Sequence, residues 1–385
     1  MTTITAPTAT AGARYIEHAQ ELVPLLRAEA RAIEDARELT PPVLAALTEC
    51  NLFQLLLDPA RGEGEVSLTD CVRILEILAS GDGSTAWDVM NCMGAAVLSA
   101  FLPPESVDVV FAGPSDAVAT AIGRFGKATA VEGGYLVEAR WPFLSGSPHA
   151  TWIGGLCFVF DGDQQRTGPE GQPHVIMPLL RKERVTVLDT WHATGLRGTG
   201  SHDADVAGAF VPAAQVIDFA RGPRAGLPLI YSIDDNAIGP VAAASVAIGI
   251  AAGAIDAFRE TVAGRTHQSG IAASMAPLPQ LALAQGQAAV DGARAALTAA
   301  AALVDAELAA GRLPGPEHVR RASLTGTSVM ETAIDVVSSL YRAAGSSAVF
   351  TGSALERALR DVFTLGAHRM VQRENYLVHG PSLFD

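Results

Sequence analysis

The sequence predicts a mostly helical chain built around a central β domain, with a four-helix bundle at its C-terminal end. Three observations predict it. Apolar residues recur at a helical period from about Tyr15 to Ala112. The period switches to two, amid many glycines and prolines, from about Asp116 to Asp218. Helical periodicity returns from about Ile233 in four long segments with short connections. The implied division is a disordered tail over 1–13, a helical domain over 14–115, a β domain over 116–218 and a bundle over 219–385.

The elements follow in order. "YIEHAQELVPLLRAEARAIEDAREL" (15–39) is amphipathic, and "LTPPVLAALTECNLF" (39–53) carries proline near a helix start. Ser67 and Asp70 give a cap-like opening to "SLTDCVRILEILAS". The next helix opens at Gly83-Ser84 and stops at Pro103-Pro104. The middle block offers "DAVATAIG", "KATAVEGGYLVEARW", "WIGGLCFVFDG", "HVIMPLLR", "VTVLDTW" and "DADVAGAFVP" as strands, mostly antiparallel, in a barrel or sandwich. Gly133-Gly134 marks a hairpin turn. Bundle helices are expected over 236–262, 279–310, 316–343 and 353–378, the last with a Ser353/Glu356 capping box.

Composition narrows the function classes. Net charge is −14 with no basic stripe, which argues against nucleic acid; the densest cationic run, "LLRKER", is short. Four cysteines (Cys50, Cys71, Cys92, Cys157) lack metal-ligand spacing, so neither a metal site nor disulfides are expected. The N-terminus lacks a signal-peptide pattern, and a cytoplasmic location is expected. Ala237–Ile255 runs 19 residues without charge, long enough to span a bilayer. It is mostly Ala and Gly and has acidic flanks, so a buried bundle helix is expected rather than a membrane span.

Several segments offer chemistry. In "GGYLVEARWPFLSGSPHATW" (133–152) uninterrupted alternation would put Trp141, Phe143 and Ser145 on one face. Gly146 would permit close backbone approach, and Ser147 would add a hydroxyl. Such a strip suits a flat heterocycle with polar edges; a sandwich core with a buried tryptophan explains it equally well. "TWHATGLRGTGSHDADV" (190–206) is turn-rich but lacks a phosphate-binding fingerprint, and reads as a solvated loop. Arg357, Asp361 and His368 fall on one face of an expected helix, either as an inter-helix salt bridge with a satisfied histidine or as a ligand-facing strip. His149, His192 and His202 have no metal-ligand spacing. Arg265 is either a solvent charge or a phosphate clamp. No G-x-S-x-G element is present.

Taken together these residues resemble the acyl-CoA dehydrogenase superfamily, and within it the group D flavin-dependent monooxygenases. The resemblance runs from about residue 15 to 380. It is carried by "DGSTAW" (82–87), "GGYLVEARWPFLSGS" (133–147), "DTWHATGLRGTGSHDADV" (189–206), "FVP" (210–212) and "LERALRDVFTLGAH" (355–368). It implies the domain order read above, a homotetramer, and flavin between β domain and bundle. By resemblance Trp141 packs on the isoalloxazine, and Ser145, Gly146 and Ser147 donate to its polar edge. Arg265 reaches a flavin phosphate on another subunit, and Ser346 lies in a turn, "AAGSSAVF", near the same cofactor.

A typical dehydrogenase places a glutamate base about two turns beyond the Arg360-Asp361 pair. Here that distance reaches His368, with Glu374 off register. The resemblance therefore implies an oxygenase component. It takes reduced FMN or FAD from a separate reductase, reacts with dioxygen through a C4a-peroxyflavin, and oxygenates a small aromatic or heteroatom-bearing substrate. His368 would act as a base titrating near neutrality. Two alternatives are an acyl-CoA dehydrogenase acting on an acyl thioester and a scaffold without flavin. Some family members carry a histidine on the helix after "STAW"; this chain has Asn91, Cys92 and Met93 there, and Asn91 is a candidate hydrogen-bonding residue.

Overall fold

The computed structural model describes residues 10–58, 61, 64–168, 171–263, 265 and 272–384. The expected tail over residues 1–9 lies outside them, but helix α1 (Ala11–Ala36) already begins at residue 11, capped by the Thr10 hydroxyl. It is followed by α2 (Pro41–Glu49), α3 (Leu68–Gly81), α4 (Gly83–Leu98) and α5 (Pro104–Val110). The capping box at the start of α3 forms as expected, Ser67 and Asp70 each bonding the other's backbone. The cap of α4 is Asp82, whose carboxylate accepts from Thr85 N–H at 2.7 Å.

The strands are β1 (Val118–Val131), β2 (Gly134–Leu144), β3 (Trp152–Asp161), β4 (Gln164–Gln165), β5 (Val175–Arg181), β6 (Thr186–Leu188), β7 (His202–Pro212) and β8 (Val216–Asp218). They form one sheet in the order β6-β7-β2-β1-β3-β5-β8, with β4 on β3. All pairs are antiparallel except β1 with β3. The sheet is therefore mixed, and two runs expected as separate strands are one strand, β1, irregular between Ala121 and Gly126. Residues from β1, β2, β3, β5, β7 and β8 meet in one core that includes Val137, Trp141, Ile153, Ile176, Val206 and Val216. Side chains from nearly every strand converge there, so the sheet curls around that core.

Trp141 is the largest member of this core and is 0% exposed. Its ring lies over Gly155, where a Cβ would stand 2.4 Å from Trp141 Cδ2. Glycine at 155 is thus required by the neighbour's volume. Gly155→Ala is expected to lower stability by roughly 1–3 kcal/mol, because the enclosed indole has nowhere to move; thermal denaturation checks it.

The C-terminal helices are α6 (Asp235–Ala263), α7 (Pro277–Ala309), α8 (Pro316–Ala344), α9 (Ala354–Gly366) and α10 (Glu374–His379). The central helix α6 packs on α8, α3, α7, α9 and α4. It is long and apolar enough to cross a membrane, yet 89% of its most apolar window is buried inside the protein. Its small residues let neighbours approach at the backbone: a Cβ at Gly249 would meet Glu76 O at 2.3 Å. One apolar core unites α1, α3 and α4 with the bundle.

Two expectations fail here. The last bundle helix is not continuous to residue 378 but breaks after Gly366, and α10 is a separate short helix. Ala367 caps the helix, its N–H donating to Thr364 O, and the Leu365 carbonyl accepts from His368 N–H, which tightens the last turn. Ser353 makes no side-chain cap; Glu356 instead pairs with Arg360 at 2.5 Å.

Candidate active site

The site is built where α4, the end of β2 and the turn after α9 meet. The "STAW" element winds into the first turns of α4 and aims Trp87 at the β domain. Trp87 Nε1 donates to Ser145 Oγ at 3.0 Å. Ser145 Oγ lies 2.9 Å from Ser201 Oγ, which lies 2.7 Å from Thr199 Oγ1. The Trp87 ring meets His368 edge-on, with centroids 5.0 Å apart at 76°. One tryptophan thus joins the strand end to the imidazole.

His368 does not share a helix face with Arg357 and Asp361, because it lies in the turn after α9. Burial, aided by the Arg369 charge, lowers its pKa to about 4. The expectation of an imidazole titrating near neutrality is therefore corrected: the ring is neutral at pH 7. Its Nδ1 accepts from Met370 N–H at 3.4 Å, so the neutral ring presents Nε2–H as a donor.

Arg360 and Asp361 hold the 190–197 loop. Asp361 Oδ1 accepts from Leu196 N–H at 2.6 Å, and Arg360 Nη1 donates to Thr194 O at 2.6 Å. Arg360 is itself held by Glu34 and Glu356, both at 2.5 Å. On the other side, the N–H groups of Thr190 and Trp191 donate to His202 Nδ1 at 3.2 and 3.1 Å. Arg37 adds an ion pair to Asp189 at 2.6 Å. The loop expected to be merely solvated is therefore fastened to α1, α9 and β7.

Burial raises the pKa of Asp361 to about 7. A carboxyl whose folded pKa lies above its unfolded value of 3.8 favours the fold at low pH, and that contribution is lost as pH rises through 7. Asp361→Asn keeps the acceptor without the charge. It is expected to be more stable than wild type at pH 8, by up to a few kcal/mol, with the gap closing toward pH 4. Thermal unfolding of both proteins across that range measures it.

The "RWPFLSGS" segment departs from simple alternation. Pairing between β2 and β7 shifts register between Trp141 and Leu144, and Phe143 has φ 60°. Trp141, ahead of the shift, shares the core face with Val137 and donates Nε1 to Leu156 O at 3.2 Å, while Phe143, inside the shift, is 66% exposed. Within this chain the indole is 0% exposed and covered by the β core. Ser145, Gly146 and Ser147 direct their donors into the turn and the backbone beside it. Gly146 N–H donates to Thr199 O at 2.8 Å, Ser147 Oγ to Gly200 O at 2.7 Å and Ser147 N–H to Leu144 O at 3.1 Å. Ser145 N–H donates to Phe143 O. These groups hold the turn together and have no donor to spare.

What the segment does expose is Phe143, whose ring meets Trp191 edge-on at 6.3 Å and 88°. Trp191 is fixed by Nε1 donating to Leu196 O at 3.0 Å. Two aromatic side chains, one exposed and one half-buried, stand on anchored backbone beside the Trp87–His368 pair. The exposed Phe143 ring leaves an aromatic surface open to a flat ring, with Trp191 set perpendicular to it. The sequence placed Phe143 on the expected heterocycle strip, but on one face with Trp141, and it assigned no site role to Trp191 or Trp87. Pro142, which cannot extend a ladder, was the available signal that alternation stops there.

Asn91 lies one turn beyond Trp87, but its Nδ2 donates to Trp87 O at 2.8 Å. Its amide is thus partly committed to its own helix. Arg265 and Ser346 come together elsewhere: Arg265 Nη1 donates to Ala344 O at 2.8 Å, beside the exposed Ser346 turn. The segment 266–271 after Arg265 lies outside the described residues. The segment after His368 packs nearer the middle of α8, where Thr327 Oγ1 donates to Gln372 O. Thr327 and Ala344 are separated by about 25 Å of helix rise. One chain therefore keeps two groups of expected site residues apart. Among the described residues no cluster of His, Cys, Asp or Glu has metal-site geometry.

Comparisons with known proteins agree with this architecture. The family described as "Acyl-CoA dehydrogenase, C-terminal domain" matches residues 241–373. The chain is 27% identical over 382 residues to "Flavin-dependent monooxygenase, oxygenase subunit HsaA" of Rhodococcus jostii (strain RHA1), covering 96% of this chain and 98% of that protein. It is 27% identical to the "FADH(2)-dependent resorcinol hydroxylase, oxygenase component" of Rhizobium sp. (strain MTP-10005), covering 84% and 82%. The crystal structure of 3-HSA hydroxylase from Rhodococcus sp. RHA1 superposes with a TM-score of 0.85 at 25% identity, covering 96% and 97%. With its seam of tryptophan, serine and imidazole between sheet and bundle, the chain is similar over nearly its whole length to flavin-dependent monooxygenases of the acyl-CoA dehydrogenase fold.

Proposed function

We propose that the chain is the oxygenase component of a two-component monooxygenase that receives reduced FMN or FAD from a separate reductase. The bound reduced flavin supplies two electrons to dioxygen, one oxygen atom entering the substrate and the other leaving as water. The substrate is small and aromatic or heteroatom-bearing. The exposed Phe143 and the adjacent Trp191 offer a face for the flavin ring. Trp87, locked to Ser145, fixes where His368 stands. His368 Nε2–H donates to the substrate's polar atom and steadies negative charge on it.

The observation that carries this reading is the nature of the group at the seam. A neutral imidazole stands beside Trp87, where acyl thioester oxidation would need a carboxylate base. Glu374 is exposed in the first turn of α10, and Asp88 is shut behind the 145–150 turn. The dehydrogenase reading therefore lacks its base.

A homotetramer completing the site follows as part of the proposal. Around Arg265 and Ser346 the chain exposes Met275, Leu278, Val349 and Phe350. Apolar side chains in such number around a cation support an interface with another copy of the chain, whose flavin phosphate Arg265 would reach.

Mixing the protein with chemically reduced FMN and air tests the reading. Flavin reoxidation is expected to slow and to pass through an absorbance distinct from both end states, and a panel of phenols, indoles, amines and thioethers should yield a product heavier by one oxygen. Anaerobic bleaching of bound oxidised FAD by an acyl-CoA would instead establish the dehydrogenase.

A further inference from the structure

Behind the Ser145–Ser147 turn lies a pair of buried polar side chains that the oxygenation reading does not use. Asp88 follows Trp87 on α4 and is 0% exposed. Neither of its carboxyl oxygens has a hydrogen-bond partner among the described residues. Neither ring nitrogen of the enclosed His149 has one either. Both side chains converge on Gly146: a Cβ there would lie 3.1 Å from His149 Nε2 and 3.9 Å from Asp88 Cγ. Gly146 has φ +78°, which glycine adopts without strain, and its missing side chain leaves the gap between them open.

Chemistry makes the two groups complementary. An isolated buried carboxylate is costly, so the fold favours the neutral acid. Burial first, then the nearby Asp82, raises the Asp88 pKa well above the ordinary carboxylate value. Burial and the Lys182 charge lower the His149 pKa to about 4, leaving a neutral imidazole at pH 7. A neutral carboxylic acid has one O–H to give, and a neutral imidazole has one nitrogen to receive it. The remaining groups around the pair do not compete for that proton. Phe53 packs on the His149 ring at 5.3 Å, the Lys182 ammonium is committed to Pro148 O, and Cys92 is a buried thiol with a pKa raised by burial.

We infer that Asp88 is held as a neutral acid that donates its proton to His149 Nε2, directly or through one internal water, and that this pair seats the 145–150 turn on α4. The pair is a positioning device. α4 holds the turn at two adjacent points, Trp87 on Ser145 and Asp88 toward His149, and the second contact fixes the angle at which the first is made. The protonation half of the inference does not depend on flavin; the positioning half rests on the oxygenase reading.

The test therefore has separate arms. In the flavin-free protein at pH 7, infrared difference spectra of wild type against Asp88→Asn should show the C=O stretch of a protonated carboxylic acid that the variant lacks. The ¹⁵N resonances of His149, assigned with His149→Gln, should report a neutral ring from pH 5 to 8 that shifts in Asp88→Asn. Absence of the acid band, or an unshifted His149, overturns the pairing. For positioning, the carboxamide of Asp88→Asn can still donate to Nε2, whereas the similarly sized Asp88→Leu cannot. Reduced-flavin affinity should fall about tenfold in Asp88→Leu and stay within about threefold in Asp88→Asn. Equal affinities in the two variants would mean a dry packing site and overturn the positioning role. If wild type itself binds no reduced flavin, the oxygenase reading fails while the infrared and ¹⁵N arms still decide the pair.

Discussion

His368→Ala is expected to lower product formation by about 10²–10³-fold while leaving reduced-flavin affinity nearly unchanged, the effect of deleting one donor aimed at developing charge. The separation arises because His368 stands on Trp87 rather than on the Phe143–Trp191 pair. His368→Gln, which keeps an N–H donor, should recover part of the loss. Wild type and His368→Gln should also have parallel pH–rate profiles from 5.5 to 8, since the buried ring gains its proton only near pH 4. An ionisation near 6.5 present in wild type alone would restore the imidazole as a base. Stability gives the complementary sign. A histidine whose folded pKa is below its unfolded value of 6.5 supports the fold above that value, and the support is lost as pH falls through 4.

A mixed assembly of two inactive variants should regain activity that neither parent has. Arg265→Ala removes the cation that lies near the far end of α8 from the His368 turn, and His368→Ala removes the imidazole. If each site takes His368 from one chain and Arg265 from another, random co-assembly leaves roughly one site in four intact. Recovery toward that fraction of wild-type rate at limiting flavin, from differently tagged co-expressed chains, is the expected result. No recovery would mean that the two residues serve the same chain or that Arg265 is a solvent charge, and the shared-site proposal would fall.

Much of the fold was legible in the sequence because its signals are local. The 3.6-residue period located α1, α3, α4 and the bundle helices, and the Ser67–Asp70 capping box marked the start of α3. The charge-free Ala and Gly run of α6 was legible as a buried helix, since its acidic flanks suit no membrane interface. His368 was found through its spacing from the Arg360-Asp361 pair, although the helix assumed to carry it ends at Gly366. Gly366, a poor helix former at that point, was the overlooked signal.

Side-chain direction and protonation were not legible. The parity argument for Trp141, Phe143 and Ser145 presumed an unbroken pleat. Trp141 keeps the inward parity of Val137, and the irregularity after it turns Phe143 outward, because one shifted residue reverses every face that follows. Asp88 went unnoticed, since nothing in "STAWDVM" tells a solvated aspartate from an enclosed one.

By itself the sequence determined the order of helices, sheet and bundle, the family resemblance, and the imidazole in place of a carboxylate. Period, capping and spacing are properties of neighbouring residues along the chain. Only the tertiary structure decided that Trp87 links Ser145 to His368, that His368 and Asp361 have displaced pKa values, and that Asp88 faces His149 across Gly146. Burial and the direction of a side chain depend on atoms brought close by folding from distant parts of the chain, and it is burial that sets the charge each group carries.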